Sequence, residues 1–455
     1  MKFRSVNSKD ILLEKRFDGS YHNADVNVYD NVLRKHSSYQ LSHYCSEIFT
    51  SGRNRRVYTT KEFGYPFLSN SDAASVDPFA CCKFSSKKYG FDEKSVLKGG
   101  MILTGRVGAI GQTSFVPSYW EKYTTMGSDN IIRIVVKPEY KNGFLYAYLA
   151  SKIGYCSFWK HATGGVQPFI TDSMVGTLPI PDFPESFQKE VDDLIQESAR
   201  LREEAAEALE DAKAILTTFI GDAFIRVDKE YFGKVSINSI RKTLNHRFDP
   251  PVYVNKGVSA AQYLSCKTIP LGECNARFWY PGIFKRAYVK DGLPYIKGSS
   301  LFEVNPFKRC DYLSRSRTPG LEDLWLKEGQ ILMSCAGICG QVKLITKEYE
   351  DKKAIGSPDI IRIHPMDVLY TKEYLFVYLQ LPFVYDYMQS LKYGSVIERF
   401  DIDTIKTIPV VTPTRELSDE VTGIIKRYMD CTYRAFNSEE KAIRMVEEEI
   451  EKWNK

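Results

Sequence analysis

Two stretches of this chain place apolar or small residues at alternating spacings of 3 and 4. In the first they are Val191, Leu194, Ser198, Leu201, Ala205, Ala208, Ala212, Ile215 and Phe219. In the second they are Val421, Ile424, Tyr428, Cys431, Ala435, Ser438, Ala442 and Met445. A sustained 3-4 alternation is the seam of a coiled coil, so the pattern predicts two long helices, each with one narrow apolar face. The alanines in the middle of the first seam suit close approach of a partner backbone. Elsewhere the periodicity changes. β-Branched runs such as "NIIRIVV" and "DIIRI", punctuated by Gly and Pro, predict strands, and "NGFLYAYLASKI" predicts a short helix between them.

The two seams are themselves copies. "TMGSDNIIRIVV" begins at Thr125 and "AIGSPDIIRIHP" at Ala354, so Gly-Ser-x-x-Ile-Ile-Arg-Ile is written twice, 229 positions apart. At that offset "ILTGRVGAIGQ" (Ile102 to Gln112) meets "ILMSCAGICGQ" (Ile331 to Gln341), with Gly108, Gly111 and Gln112 on Gly337, Gly340 and Gln341. Upstream, Arg56, Tyr58 and Pro66 meet Arg286, Tyr288 and Pro294, and Arg16-Phe17-Asp18 meets Arg247-Phe248-Asp249. Downstream, Tyr148, Gly164 and Pro179 meet Tyr378, Gly394 and Pro409 at an offset of 230. Collinear matches over such a span mark an internal duplication. Each copy is a mixed strand-and-helix region followed by a long helix, and each helix is expected to pack against its own copy.

Charge separates these parts. The first helical stretch, 184–222, holds 11 acidic and 4 basic residues; the second, 414–455, holds 10 and 8. Of 62 Lys and Arg and 57 Asp and Glu in all, 50 and 36 then remain elsewhere, a net of +14 for the mixed regions. Basic globular parts beside acidic helices fit nucleic acid on one side and protein on the other. No run of 18 apolar residues predicts a membrane span. The opening residues lack the apolar core of a signal peptide, so the ten cysteines read as reduced thiols of a cytoplasmic protein.

Catalytic patterns are sparse. "GRVGAIG" lacks the Gly-Lys-Ser/Thr of a phosphate loop and reads as a tight turn between strands. "NPFK" at Asn305 is one proline short of an amino-methyltransferase loop and has no twin in the first copy. "EDK" at Glu350 precedes "SPD" at Ser357, the reverse of the order that a metal-dependent nuclease needs. Cys335 and Cys339 form a lone Cys-x3-Cys without a second ligand pair, so no metal site is expected. Arg16-Phe17-Asp18 and its copy read as structural, with charges paired and the phenylalanine buried.

What stands out are basic segments. "RNRRVY" contributes Arg53, Arg55 and Arg56, and "SSKKYG" contributes Lys87 and Lys88. In the second copy "FKRAYVK" contributes Lys285 and Arg286, "GLPYIKGSSL" contributes Lys297, and "SRSRTPG" contributes Arg315 and Arg317. Such residues suit phosphate contacts, and arginine also reads guanine edges.

The arrangement resembles the specificity subunit of a Type I restriction–modification system. The features that carry the resemblance are "RFDP", "GLPYIKGSSL", "EGQILMSCAGICGQ" and "TIPVVTP" leading into a long helix, in an order that is given twice. The first copy departs from it, with "FGYPFLSNSD" in place of the Tyr-Ile-Lys-Gly segment, so no role for Lys297 transfers there. The resemblance implies an α+β protein: two similar mixed α/β target-recognition domains with twisted β-sheets, each followed by a long helix, the two helices packed as an antiparallel coiled coil. The expected boundaries are 1–183 and 223–412 for the domains, and 184–222 and 413–455 for the helices. Helix packing is expected at Val191, Leu194, Leu201, Ala205, Ala208, Ala212, Val421, Ile424, Tyr428, Ala435 and Ala442. The resemblance further implies a non-enzymatic reader of double-stranded DNA, one half-site per domain. Two methyltransferase subunits would dock on its helices, with a motor-nuclease subunit as a further partner. No cofactor is expected in the chain itself; S-adenosylmethionine would lie in the methyltransferase partner. The alternatives are a self-sufficient nuclease or methyltransferase of unfamiliar type and a scaffold that binds only proteins.

Overall fold

A computed structural model describes residues 5–453 except 15, 18, 23–24, 54, 222–233, 244–245, 263, 337–338, 395 and 397. Asp18 and Gly337 therefore lie outside the described residues. The chain divides into two compact units, residues 1–203 with 434–455 and residues 204–433.

In the first unit the strand Ile131–Val136 is central. It pairs antiparallel with Cys45–Thr50 on one side and Ile102–Gly105 on the other, and Thr113–Phe115 completes four strands. Alternation sends Ile132 and Ile134 to one face, into a core with Phe144, Leu149 and Phe158 from the helices Asn142–Ala150 and Lys152–His161. The other face presents Leu103 and Ile131 to a second core with Leu68, Leu97 and Trp120. Near that core lies a smaller four-stranded sheet, ordered Tyr58–Thr59, Lys83–Ser86, Gly64–Leu68, Met126–Gly127, its last pair parallel. A short ribbon joins Tyr39–Gln40 to Pro179–Ile180.

The second unit repeats this plan strand for strand. Ala276–Trp279, Ile360–Pro365, Ile331–Ser334 and Val342–Leu344 form the larger sheet. Tyr288–Val289, Asp311–Leu313, Leu293–Ile296 and Ile355–Gly356 form the smaller one, again with a parallel last pair. Thr268–Pro270 and Pro409–Val411 form the ribbon. Residues that match in sequence do the same work. Tyr148 Oη donates to the Pro179 carbonyl at 2.8 Å, and Tyr378 Oη to the Pro409 carbonyl at 2.7 Å. Gly164 and Gly394 hold φ of +100° and +104°, a conformation open to glycine. The "GRVGAIG" segment is the tight turn between Ile102–Gly105 and Thr113–Phe115, with positive φ at Gly108 and Gly111.

The two long helices are Glu185–Ile220 and Arg415–Trp453. Within the first unit Ser198 Oγ donates to the Ala435 carbonyl at 2.8 Å, and Arg202 pairs with the buried Glu439, which also accepts from Tyr146 Oη. Within the second unit Cys431 faces Glu204, and Arg427 lies 3.9 Å from Asp211. From Glu204 to Asp211 the partner number falls from Cys431 to Arg427, so the pair is antiparallel. The seam needs one correction. Leu194, Ile215, Phe219, Ile424, Ser438 and Met445 are only half-buried, while Ile195, Leu216, Ile220, Ile425, Glu439 and Val446 take the fully buried places beside them. A straight helix has 3.6 residues per turn and drifts about 20° per heptad from a strict 3.5 repeat, which moves the seam by one residue. In the first unit the same helices also face the domain: Val191, Ile195, Ala442 and Val446 belong to the core of Phe144 and Leu149.

Candidate nucleic-acid interface

The basic segments meet at one end of the smaller sheet in each unit. Arg53, Arg55 and Arg56 run into Tyr58–Thr59, while Lys87 and Lys88 leave Lys83–Ser86. These strands are antiparallel, with Tyr58 opposite Ser85, and Ser86 N donates to the Val57 carbonyl at 2.8 Å. The entry of one strand and the exit of the other therefore share an end, and all five cations are exposed. In the second unit Lys285 and Arg286 run into Tyr288–Val289, and Arg315 and Arg317 follow Asp311–Leu313. Tyr288 faces Leu313, and Ser314 N donates to the Ala287 carbonyl at 2.9 Å. All four of these cations are exposed as well. Lys297 is the exception. It follows the strand Leu293–Ile296, whose Tyr295 faces Asp311, and so lies at the opposite end of that sheet, 2.6 Å from the Asp311 carboxylate.

The surroundings of the cations differ between copies. Asp129, absent from the sequence-based candidates, pairs with Arg56 and lies 3.9 Å from Arg53. Its hydrogen bond raises the Arg56 pKa above the ordinary value. Arg286 has a neutral partner instead: its Nε donates to Tyr295 Oη at 2.8 Å, and its guanidinium lies 5.9 Å from the Phe284 ring and 5.7 Å from that of Tyr295. Lys87 and Lys88 rest over the Tyr65 and Tyr89 rings at 5.4 and 5.1 Å. Lys83, also overlooked in the sequence, lies 4.8 Å from the exposed Tyr58 ring. Cations held on aromatic faces keep N–H donors for phosphate, and exposed rings add surfaces on which bases or sugars stack.

Behind each cluster stands a buried arginine. Arg133 and Arg362, the polar member of each "IIRI", are wholly enclosed. Arg133 donates to the carbonyls of Ile131 (2.7 Å), Gly127 (2.5 Å), Ser128 (3.2 Å) and Ser95 (3.2 Å). Arg362 donates to the equivalent four, Ile360 (2.9 Å), Gly356 (3.0 Å), Ser357 (3.3 Å) and Leu324 (3.5 Å). Burial lowers both pKa values to about 10. A Cβ on Gly127 or Gly356 would stand 2.9 Å from the guanidinium Nη2 of its unit. Glycine and arginine are thus one device, which fixes the turn that carries Asp129 in the first copy and Asp359 in the second.

The Arg-Phe-Asp pairs require another correction. Arg247 pairs with Asp249, as expected, and also donates to the carbonyls of Leu391 (2.8 Å) and Lys392 (2.6 Å). Arg16 donates to the Ala162 carbonyl at 3.1 Å. Phe17 and Phe248, however, are 84% and 81% exposed rather than buried. In extended chain neighbouring side chains point opposite ways, so an arginine turned inward to a helix end sends the next residue outward.

Among the described residues, no group of three or more His, Cys, Asp or Glu is placed to hold a metal ion, and no helix is long and apolar enough to cross a membrane. The class that fold and site define is a duplicated α+β protein with paired long helices and a basic strand-end cluster in each copy. No protein-family model matches the chain, and no curated protein does. Among solved structures it is similar to the S subunit of a Type I restriction–modification system from M. genitalium, with 13% identity and a TM-score of 0.35 over 91% of this chain and 94% of that one. It is also similar to the HsdS subunit from Thermoanaerobacter tengcongensis, with 14% identity and a TM-score of 0.27 over 91% and 95%. A third similar chain comes from a study of complex assembly and conformational transition of the type I R-M system, with 15% identity and a TM-score of 0.27 over 91% and 96%.

Proposed function

We propose that this chain is the sequence-specific DNA-recognition subunit of a Type I restriction–modification complex. Each unit reads one half of a split duplex site, methyltransferase subunits dock on the long helices, and a motor-nuclease subunit joins that assembly. Methyl transfer and the S-adenosylmethionine site belong to the partner. The observation that carries the reading is the repeated construction of the basic strand end: Arg53, Arg55, Arg56, Lys87 and Lys88 in one unit, Lys285, Arg286, Arg315 and Arg317 in the other. Segments some thirty residues apart in sequence converge in the same way twice, which supports a shared task of meeting a polyanion.

The test is electrostatic. Log affinity for a duplex falls against log salt with a slope of about −0.9 for each phosphate neutralised. The full-length chain should therefore bind duplex DNA with a steep salt dependence. Replacing Arg55 and Arg56 by Ala, or Lys285 and Arg286 by Ala, should each flatten the slope by about 2. An affinity unchanged between about 50 and 200 mM salt would refute the DNA reading.

A further inference from the structure

We propose that Phe169 and Arg399 stand at one matched specificity-determining position of the two units, where Arg399 reads a guanine edge and Phe169 meets the methyl group of a thymine. The inference rests on the function proposed above and assigns residues to the reading of bases, as distinct from the holding of phosphates.

Strand register places both residues at the end of the fold where the strand-end cations gather. In the first unit Thr50 faces Ile132 and Gly105 faces Ile131, so three segments share one end of the larger sheet. They are the segment that carries Arg53 and Arg56, the turn after Gly105, and the turn 128–130. Arg106 N donates to the Asn130 carbonyl at 2.8 Å, and Ile170 N donates to the Arg106 carbonyl at 2.9 Å. Phe169 forms a β-bridge with Val107 and closes its own loop by exchanging backbone hydrogen bonds with Thr163, at 2.7 and 2.8 Å. The second unit repeats the route. Trp279 faces Arg362 and Ser334 faces Ile360, and the chain leaves Trp279 toward Lys285 and Arg286. Cys335 Sγ donates to the Asp359 carbonyl at 3.0 Å, and Phe400 N donates to the Cys335 carbonyl at 3.2 Å. Arg399 bridges to Ala336 and exchanges backbone hydrogen bonds with Tyr393, at 2.8 and 2.9 Å.

The two residues thus share a backbone address and differ in chemistry. Both side chains are exposed, Phe169 at 37%. Of the acids beside Arg399, Glu398 pairs with Lys392 and Asp401 accepts from Tyr393 Oη at 3.3 Å; among the described residues neither forms an ion pair with the Arg399 guanidinium. An arginine fork fits guanine O6 and N7, and an apolar ring suits the methyl group of thymine. Phosphates are the same in every sequence, and the cations that recur at the strand ends, Arg56 and Arg286, suit them. Bases differ between half-sites. A position whose backbone frame is kept while its side chain changes from ring to guanidinium suits the bases.

The experiment exposes the full-length chain to a duplex library with a randomised segment and sequences what is bound. Wild type should enrich a split site, with a guanine in one half preferred about tenfold or more. Arg399→Ala should remove that preference at one base pair and leave the other half-site as it was. Arg399→Lys should do the same while keeping the wild-type salt slope, since an ammonium holds a phosphate but lacks the fork. Phe169→Arg should replace a thymine preference in the other half-site by one for guanine. Variants that enrich the wild-type site unchanged overturn the inference and leave the proposed function intact. If Arg399→Ala weakens all sequences alike and lowers the salt slope by about 1, Arg399 is a phosphate contact and the inference falls. It falls too if both Arg399 variants lose the whole half-site, which would make the residue a support of its loop. A first half-site unchanged by Phe169→Arg overturns the matched position. A wild-type chain that binds duplex DNA but enriches no site would instead refute sequence-specific reading itself, and this inference with it.

Discussion

Replacing Arg133 or Arg362 by Met sets two large effects against each other. The guanidinium is expensive to bury: with the pKa brought down to about 10, keeping it charged in place costs about 3 kcal/mol at neutral pH. Met removes that cost and fills much of the same space. It also strips four carbonyls of a charged donor, and such bonds are worth about 1.5–3 kcal/mol each. Even at the low end the four bonds come to about 6 kcal/mol and outweigh the desolvation. Arg133→Met should therefore lower the stability of the first unit by about 3 kcal/mol or more. Lysine offers no rescue, because a single ammonium cannot span carbonyls that the guanidinium fork reaches together.

The duplication supplies the control. Hydrogen exchange followed by mass spectrometry on the full-length chain should show Arg133→Met raising exchange in peptides over 95–105 and 125–136, with 324–334 and 354–365 unchanged. Arg362→Met should do the reverse. Urea unfolding should then show one destabilised transition in each variant and a normal one for the other unit. Met variants as stable as wild type would refute the reasoning, since desolvation would then dominate and the carbonyls would not depend on the arginine.

Gly127→Ala should raise exchange in the same peptides, since its Cβ would meet Arg133 Nη2 at 2.9 Å and Leu97 Cδ2 at 3.0 Å; overpacking of this kind costs about 1–3 kcal/mol by denaturant titration. Ala208→Glu puts a carboxylate where the side chain is wholly enclosed, and should abolish cooperative unfolding of the second unit or lower its midpoint sharply in urea. Lys343 is enclosed, donates to the Leu301 carbonyl at 2.9 Å, and has its pKa lowered to about 8, chiefly by burial. A lowered base costs stability below its folded value and ceases to as pH climbs to the unfolded value, so the second unit should gain stability from about pH 8 to about pH 10.4, and Lys343→Met should flatten that rise in calorimetry.

Features local in sequence, or written twice, were legible before the structure. The duplication predicted two units of one plan, and the matched tyrosines, prolines and glycines perform matched tasks. The 3-4 spacing predicted the two long helices. Their seam was read one residue off in places because the drift of 3.6 against 3.5 residues per turn accumulates, and because Val191 and Ile195 answer to the domain core as well as to the other helix. The candidate site was legible as residue types but not as an assembly. Arg56 and Lys87 meet only because Tyr58 pairs with Ser85, and strand pairing is a long-range choice that no short window encodes. For the same reason Lys297 could be counted with Arg286 as a candidate, yet a turn of the chain places it at the opposite sheet end.

The Gly-Ser-x-x-Ile-Ile-Arg-Ile motif joins these levels. An arginine is ordinarily among the residues least often buried. In the fold, alternation turns Arg133 with Ile131 and Val135 toward the second core, where water is excluded. The charge is tolerable there because the turn just before the strand aims the Gly127 and Ser128 carbonyls at it, and Ser95, 38 residues upstream, supplies another. The turn in turn needs glycine because any Cβ would occupy the guanidinium's place. Neither residue can change alone, which is a physical reason for both copies to retain the pair while the loops around it diverge. What the clamp fixes is the turn carrying Asp129, the carboxylate that orients Arg53 and Arg56. The scaffold that both copies share thus lies directly behind a surface in which they differ, an arrangement suited to the proposed reading of two half-sites with one fold.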